Sequence, residues 1–200
     1  MLSSFPHPLG KLDPRVKRTR ELIQRSFMEI VDEKGFNSLS VQDITARAGI
    51  NRATFYAHFP DKYALLDYAI GEMFRAEIER RMLNVCEFRL ENLRTLVITV
   101  CEFVAKIHTH TDREEQYQTL AEAQIRNQVY GLILHWLEKI ETIRNCSVSR
   151  ERAATAASWA IYGLAHQWTH EKRKSSAETF ADEVMPLVAA NLGQTVELTG

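Results

Sequence analysis

Apolar residues along this chain recur at helical rather than strand spacing almost throughout. After Asp13-Pro14, a cap residue followed by a proline suited to a first helical position, Leu22, Ile23, Phe27, Ile30 and Val31 form one stripe that ends at Gly35. The pattern then shortens. Ser40 and Asp43 have the spacing of a capping box, and Ile44 and Ala48, one turn apart, give the helix they open one apolar side. Gly49 falls where the chain must stop and turn, because a residue without a Cβ enters the left-handed region cheaply. Asn51 can cap the next helix, Phe55 and Phe59 bury one turn apart, and Pro60 prevents continuation. Residues 40–62 therefore predict a helix-turn-helix. Isolated helices below roughly 12 residues are marginal, so both must pack on the first helix, with Phe36 and Leu39 closing a small three-helix core.

Beyond Pro60 the helical period continues with no strand pattern. It predicts helices over about 61–84, 91–110, 113–144, 149–172 and 176–192. Asp61 can cap the first, whose apolar side is Leu65, Leu66, Ala69, Ile70 and Met73. The 113–144 stretch is long for one globular helix and Gly131 weakens it, so it reads as two helices or one kinked helix. Pro186 predicts a bend in the last helix. Ala153, Ala156, Ala157, Ala160 and Gly163 make a small-residue surface flanked by Trp159, Tyr162, Leu164 and Trp168, and the last helix offers Phe180, Val184, Leu187 and Val188. This pair of stripes suits either the seam of an isologous dimer or a monomer core, and the spacing leaves both open. The expected architecture is all-α. It comprises a flexible arm (1–12), a three-helix unit (13–60), a larger helical domain (61–192) and a C-terminal tail (193–200).

Composition narrows the function classes. With 200 residues, 45% hydrophobic and 26% charged, the chain has material for one large core or two unequal ones. The longest apolar run, from Leu96 to Cys101, is broken by Thr99 and falls far short of the roughly 18 residues of a membrane span. The first ten residues lack a basic start and a continuous apolar stretch, so no secretory signal is read and a cytoplasmic protein is expected. Cys86, Cys101 and Cys146 fit reduced, mostly buried thiols. The net charge of -1 hides a cluster: Lys11, Arg15, Lys17, Arg18, Arg20 and Arg25 face only Asp13 and Glu21. Such a cluster alone is ordinarily a solvated face; beside a helix-turn-helix it suits a polyanion.

Gly35-Phe36, Asp43-Ile44, Ala48-Gly49-Ile50, Thr54-Phe55-Tyr56, His58-Phe59 and Pro60-Asp61-Lys62 together are specific enough to name a likeness. In this order and spacing the chain resembles the TetR family of bacterial transcriptional regulators. Thr45 stands where alanine is common and Ala53 where glycine is common. The resemblance implies a homodimer whose N-terminal units enter successive major grooves of double-stranded operator DNA. It also implies C-terminal helices that form both the dimer interface and a pocket for a small-molecule effector, with repression as the usual outcome.

Residue chemistry assigns the parts. Ala53 and Ala57 leave the outward face of the second short helix nearly bare, so its backbone can approach the groove floor. Arg52 is the candidate base reader, since a guanidinium pairs with guanine O6 and N7 for about 1–3 kcal/mol of discrimination. Gln42 and Asn51 can read adenine, and Thr54, Tyr56 and His58 suit phosphates. Lys62 sits in a first helical turn against the macrodipole, a conflict that a phosphate would remove. Tyr117, Tyr130 and Trp136 are candidate effector contacts. Ala157, Ala160, Leu164, Trp168, Phe180, Val184, Leu187 and Val188 are candidate dimer contacts. The helix beginning at Asp61 is the expected lever between effector and DNA.

Two rival readings stay beside this one: a DNA-binding regulator without an effector, and a helical metal or enzyme module. His166 and His170, in HQWTH, come within one residue of the HExxH zinc-protease pattern, but Gln167 replaces the glutamate that would activate water. His108 and His110 read as a helix end, where imidazolium suits the dipole. No Ser-His-Asp, Walker or dinucleotide pattern occurs, so no enzyme activity and no cofactor are expected.

Overall fold

The computed structural model describes residues 13–81, 88–111, 115–140, 148–171 and 175–193. The expected arm (1–12), the expected tail past Gly193, Lys11, Cys86 and Cys146 lie outside the described residues. Among the described residues there are eight α-helices and no strand: α1 (Pro14–Lys34), α2 (Val41–Ala48), α3 (Arg52–His58), α4 (Lys62–Arg81), α5 (Leu90–Thr111), α6 (Glu115–Glu138), α7 (Arg150–Thr169) and α8 (Ala177–Gly193).

The helix boundaries follow local chemistry. Asp13 Oδ1 accepts from the Arg15 amide at 2.8 Å, with Pro14 at the first helical position. At α2 the reciprocal box is complete: the Asp43 amide donates to Ser40 Oγ at 3.3 Å and the Ser40 amide to Asp43 Oδ2 at 2.7 Å. Gly49, at φ 64°, takes the left-handed conformation that turns α2 into α3. Asp61 Oδ1 accepts from the Tyr63 and Ala64 amides at 2.9 and 2.8 Å and so caps α4.

Helices α1, α2 and α3 close on Ile23, Phe27, Ile30, Phe36, Leu39, Ile44, Phe55 and Phe59, all buried. Leu22 departs from the expected stripe. It is 39% exposed, because the buried face of α1 is already filled by Ile23, Ser26, Phe27 and Ile30. Arg47 ties α2 to α1 through Glu33, at 2.8 and 2.6 Å, and Glu29, at 3.6 Å.

The remaining helices form a bundle in which α6 packs against α4, α5 and α7, and α8 against α5 and α7. Helix α6 runs unbroken through Gly131, so over the described residues it is one helix rather than two. Pro186 lies inside α8, which continues beyond it to Gly193. Arg94 joins α5 to α8 by holding Asp182 at 2.5 and 2.9 Å. One apolar core connects the bundle to the N-terminal helices through Leu65, Leu66, Ala69 and Ile70 of α4. Cys101 is a free thiol inside this core, and burial pushes it up to about 12, which keeps it protonated and unreactive.

Candidate nucleic-acid interface

Helix α3 is two-faced. Phe55 is fully buried and Phe59, its C-cap, nearly so, while Arg52, Ala53, Tyr56 and Ala57 are exposed on the other side. Tyr56 is 54% exposed and its ring stands edge-on to Phe55 at 5.5 Å, so a buried neighbour orients an exposed phenol. No acidic residue occupies the first turn of α3, whose N-terminal end carries the positive pole of the helix dipole and Arg52.

The sequence-derived candidates meet at the α2–α3 turn. Arg52 Nη2 donates to Gln42 Oε1 at 3.2 Å across that turn. A guanidinium has five N–H donors, so this bond steadies Arg52 while leaving donors for a base edge. Asn51 Oδ1 accepts from the Thr54 amide at 2.7 Å and the Thr54 hydroxyl at 3.0 Å. The oxygen that adenine pairing requires is thus engaged in capping α3. His58 is half-buried, and burial, with the nearby charge of Arg20 as the lesser cause, holds its imidazole below the ordinary value. Both causes favour the neutral imidazole in the DNA-free chain.

Lys62 meets its dipole conflict within the chain. Its Nζ donates to the carbonyls of Phe36 at 3.0 Å, Asn37 at 3.3 Å and Leu39 at 3.0 Å, and lies 4.6 Å from the centre of the Phe36 ring. The ammonium braces the α1–α2 turn against the start of α4. Phe36 also meets the rings of Tyr63 at 5.3 Å and Tyr117 at 6.1 Å, which brings the starts of α4 and α6 to the same turn. Sequence reasoning missed this bracing, because the carbonyls it uses lie 23 to 26 residues away.

The basic cluster on α1 divides. Arg15, Arg18 and Arg25 are exposed, Lys17 pairs loosely with Glu21 at 3.9 Å, and Arg20 lies 5.4 Å from the ring centres of both Phe59 and Tyr68. The first three can offer charge to a polyanion, whereas Arg20 joins α1 to the end of α3 and to α4.

The other candidates scatter. Trp136 is fully buried with its ring 6.1 Å from Phe88, Tyr117 is buried and Tyr130 half-buried. None of the three borders either of two cavities in the bundle. One, of about 120 Å³, lies among α5, α6 and α7 and includes His108, Glu122, Tyr162 and His166 in its wall. The other, a more open groove of about 440 Å³ between α4 and α5, is bordered by apolar Met73 and Phe103 and by both signs of charge, Arg80, Arg81 and Lys106 with Glu77 and Glu102. Of the dimer candidates, Ala157, Trp168, Phe180, Val184 and Val188 are buried within the chain, and Trp168 and Phe180 face each other at 6.1 Å. Ala160 and Leu164 are partly covered, and Leu187 is 62% exposed. Trp159, 56% exposed, lies under the Arg126 guanidinium at 3.7 Å.

The family model described as "Bacterial regulatory proteins, tetR family" matches residues 28–69, a span running from the middle of α1 through α2 and α3 into α4. Over that span the chain is similar to the TetR family of bacterial regulatory proteins. Among curated relatives, an uncharacterized HTH-type transcriptional regulator of Bacillus subtilis, YxbF, is 41% identical over 61 residues, 30% of this chain and 16% of that protein. The chain thus spans only a small part of that relative's length. The HTH-type transcriptional repressor BepR of Brucella suis is 21% identical over 175 residues, covering 78% of this chain and 82% of the repressor. Among solved structures, the TetR-family repressor FadR of Thermus thermophilus, in complex with lauroyl-CoA, superposes with a TM-score of 0.60 at 21% identity, covering 86% of this chain and 94% of that one. At that identity the likeness is one of fold, and it extends over the bundle as well as the N-terminal helices.

Proposed function

We propose that the chain is a sequence-specific DNA-binding transcriptional regulator, acting as a homodimeric repressor that a small molecule releases from its operator. The observation that carries the reading is the two-faced α3: its aromatic side is locked in the core, and its other side offers Arg52, two alanines and Tyr56. Such a helix can lie deep in a major groove, because Ala53 and Ala57 add almost no bulk between backbone and base edges. Arg52 reads a base, with Gln42 steadying it. Tyr56, Thr54 and His58 hold phosphates, and Asn51 contributes mainly as the cap. In this reading Lys62 contributes by holding the turn that carries α2.

The release step rests on the shape of α4. Its first residue is fastened to the α1–α2 turn, and its far end, at Met73, Arg80 and Arg81, borders the 440 Å³ groove. A ligand in that groove presses on the helix whose other end sets the position of the reading head. The groove joins apolar Met73 and Phe103 to a charged rim in which Glu77 holds Arg80 and Arg81, Glu102 holds Arg81, and Lys106 stands beside them; the lauroyl-CoA held by the Thermus FadR supports an amphipathic effector with an apolar tail.

The test of the DNA reading is a binding isotherm on operator DNA at several salt concentrations. Arg52→Ala should lose roughly 5- to 150-fold in affinity, equivalent to about 1–3 kcal/mol, and should relax preference at one position per half-site. Undiminished binding by that variant would remove Arg52 from the interface.

A further inference from the structure

Helix α4 carries a single glycine, Gly71, buried in mid-helix beside Ala69, Ile70 and Phe74. Glycine is the poorest helix former after proline, so one on the buried face of a helix calls for a packing reason. Helix α6 supplies it. A Cβ added at Gly71 would stand 2.3 Å from Gln124 Nε2, and 3.4 Å from both Gln124 Cδ and Gln128 Nε2. The Gln124 carboxamide therefore lies against the bare backbone of α4, with Gln128, one turn further along α6, beside it. The rest of the buried face of α4 is apolar: Leu65, Leu66, Ala69, Ile70, Phe74 and Ile78. At Gly71 the helix meets α6 through the ends of long, unbranched side chains rather than through interlocking ridges.

The two ends of α4 are held by charge. Lys62, its first residue, is fixed to the carbonyls of Phe36, Asn37 and Leu39. Arg81, its last, is held by Glu77 of the same helix at 2.5 Å and by Glu102 of α5. Gly71 falls nine residues after Lys62 and ten before Arg81, so at 1.5 Å per residue each arm is about 14 Å long. The far arm borders the 440 Å³ groove with Met73, Glu77 and Arg80, and the near arm carries the brace to the α1–α2 turn. A tilt of about 7° about the midpoint moves the two ends roughly 2 Å in opposite directions, the size of shift by which packed helices switch.

We propose that Gly71 is the fulcrum of α4 and that Gln124 is the positioning residue that sets its resting angle. The inference rests on the reading of the chain as a DNA-binding regulator switched through α4, and it names the point on which that switch turns. The flexible carboxamide yields as the helix tilts, and the glycine leaves it room to do so. An occupant of the groove that lifts the far arm lowers the near arm, and with it the α1–α2 turn.

The test compares Gly71→Ala, Gln124→Ala and the double variant, each as the full chain. A methyl at position 71 displaces only the far end of a flexible side chain, so Gly71→Ala should fold. Its affinity for operator DNA obtained by selection should change by at least about fivefold. The double variant, in which the shortened residue 124 leaves room for the methyl, should return to within about twofold of Gln124→Ala. Amide hydrogen exchange on the DNA-free chain gives a readout that needs no operator: in Gly71→Ala, protection should shift at the Lys62 end and the Arg81 end of α4 together. Exchange changes confined to residues beside 71 and 124, or DNA affinity within about twofold of the parent, would reduce Gly71 to a packing role and overturn the proposal. Equal changes for Gly71→Ala with and without Gln124 would overturn it as well. Should Gly71→Ala not fold, Gln124→Ala decides: a joint rise in exchange at both ends of α4 upholds the fulcrum, and an unchanged end overturns it. A parent chain that prefers no DNA sequence would defeat the DNA reading alone, because the exchange pattern still reports whether α4 turns at Gly71.

Discussion

Lys62 sits in the first turn of α4, where its charge opposes the helix dipole, and three carbonyls of the α1–α2 turn surround its ammonium. A lysine at a helix start announces an electrostatic conflict in the sequence, but the partner that resolves it depends on which backbone oxygens the fold brings near. Asn51 shows the converse. Its cap role is legible from its place before α3, and the cap bond in turn explains why its oxygen is engaged. For Lys62→Met, urea unfolding should show a loss of about 1.5–3 kcal/mol, the usual worth of hydrogen bonds to a charged group. Unchanged stability with weakened DNA binding would instead return this lysine to the phosphate backbone.

At the scale of the helix, the termini were the most legible features, because caps are local. Ser40, Asp43, Gly49, Asn51 and Asp61 each act within three or four residues of themselves, and the structure contains each cap. Asp43 also carries a pH dependence. Hydrogen bonds from Ser40, then Lys34, hold its carboxyl down at about 2, against an ordinary value of 3.8. The folded carboxylate keeps its charge where the unfolded one is protonated, so its contribution is full above pH 3.8 and is lost as the pH falls through about 2. Thermal melts of the parent and Asp43→Asn should therefore differ most above that range and converge toward the lower value. A constant gap across it would contradict the assignment. Tertiary pairings were not legible in the same way. The small-residue and aromatic stripes of α7 and α8 fitted a core and an interface equally in sequence, and the monomer buries Ala157, Trp168, Phe180, Val184 and Val188 while leaving Leu187 and Trp159 outside. His108 joins His166 and His170 across 58 and 62 residues of sequence, a meeting that no helical period encodes.

In the whole molecule α4 links α1 to α3, the proposed reading head, to the bundle of α5 to α8 that carries the groove and the three neighbouring histidine rings. The proposed homodimer would use the outer surface of α7 and α8, where Trp159 and Leu187 are large apolar side chains left exposed by a single chain. Two such heads on a two-fold axis fix a geometric consequence for the DNA: two inverted half-sites centred about one helical turn apart. The most direct measurement is selection of bound sequences from a random double-stranded DNA pool by the full-length protein. A palindrome is the predicted result, with the position read by Arg52 relaxed when the selection is repeated on Arg52→Ala. A single half-site, or a bound pool with no shared sequence, would contradict the dimeric reading head.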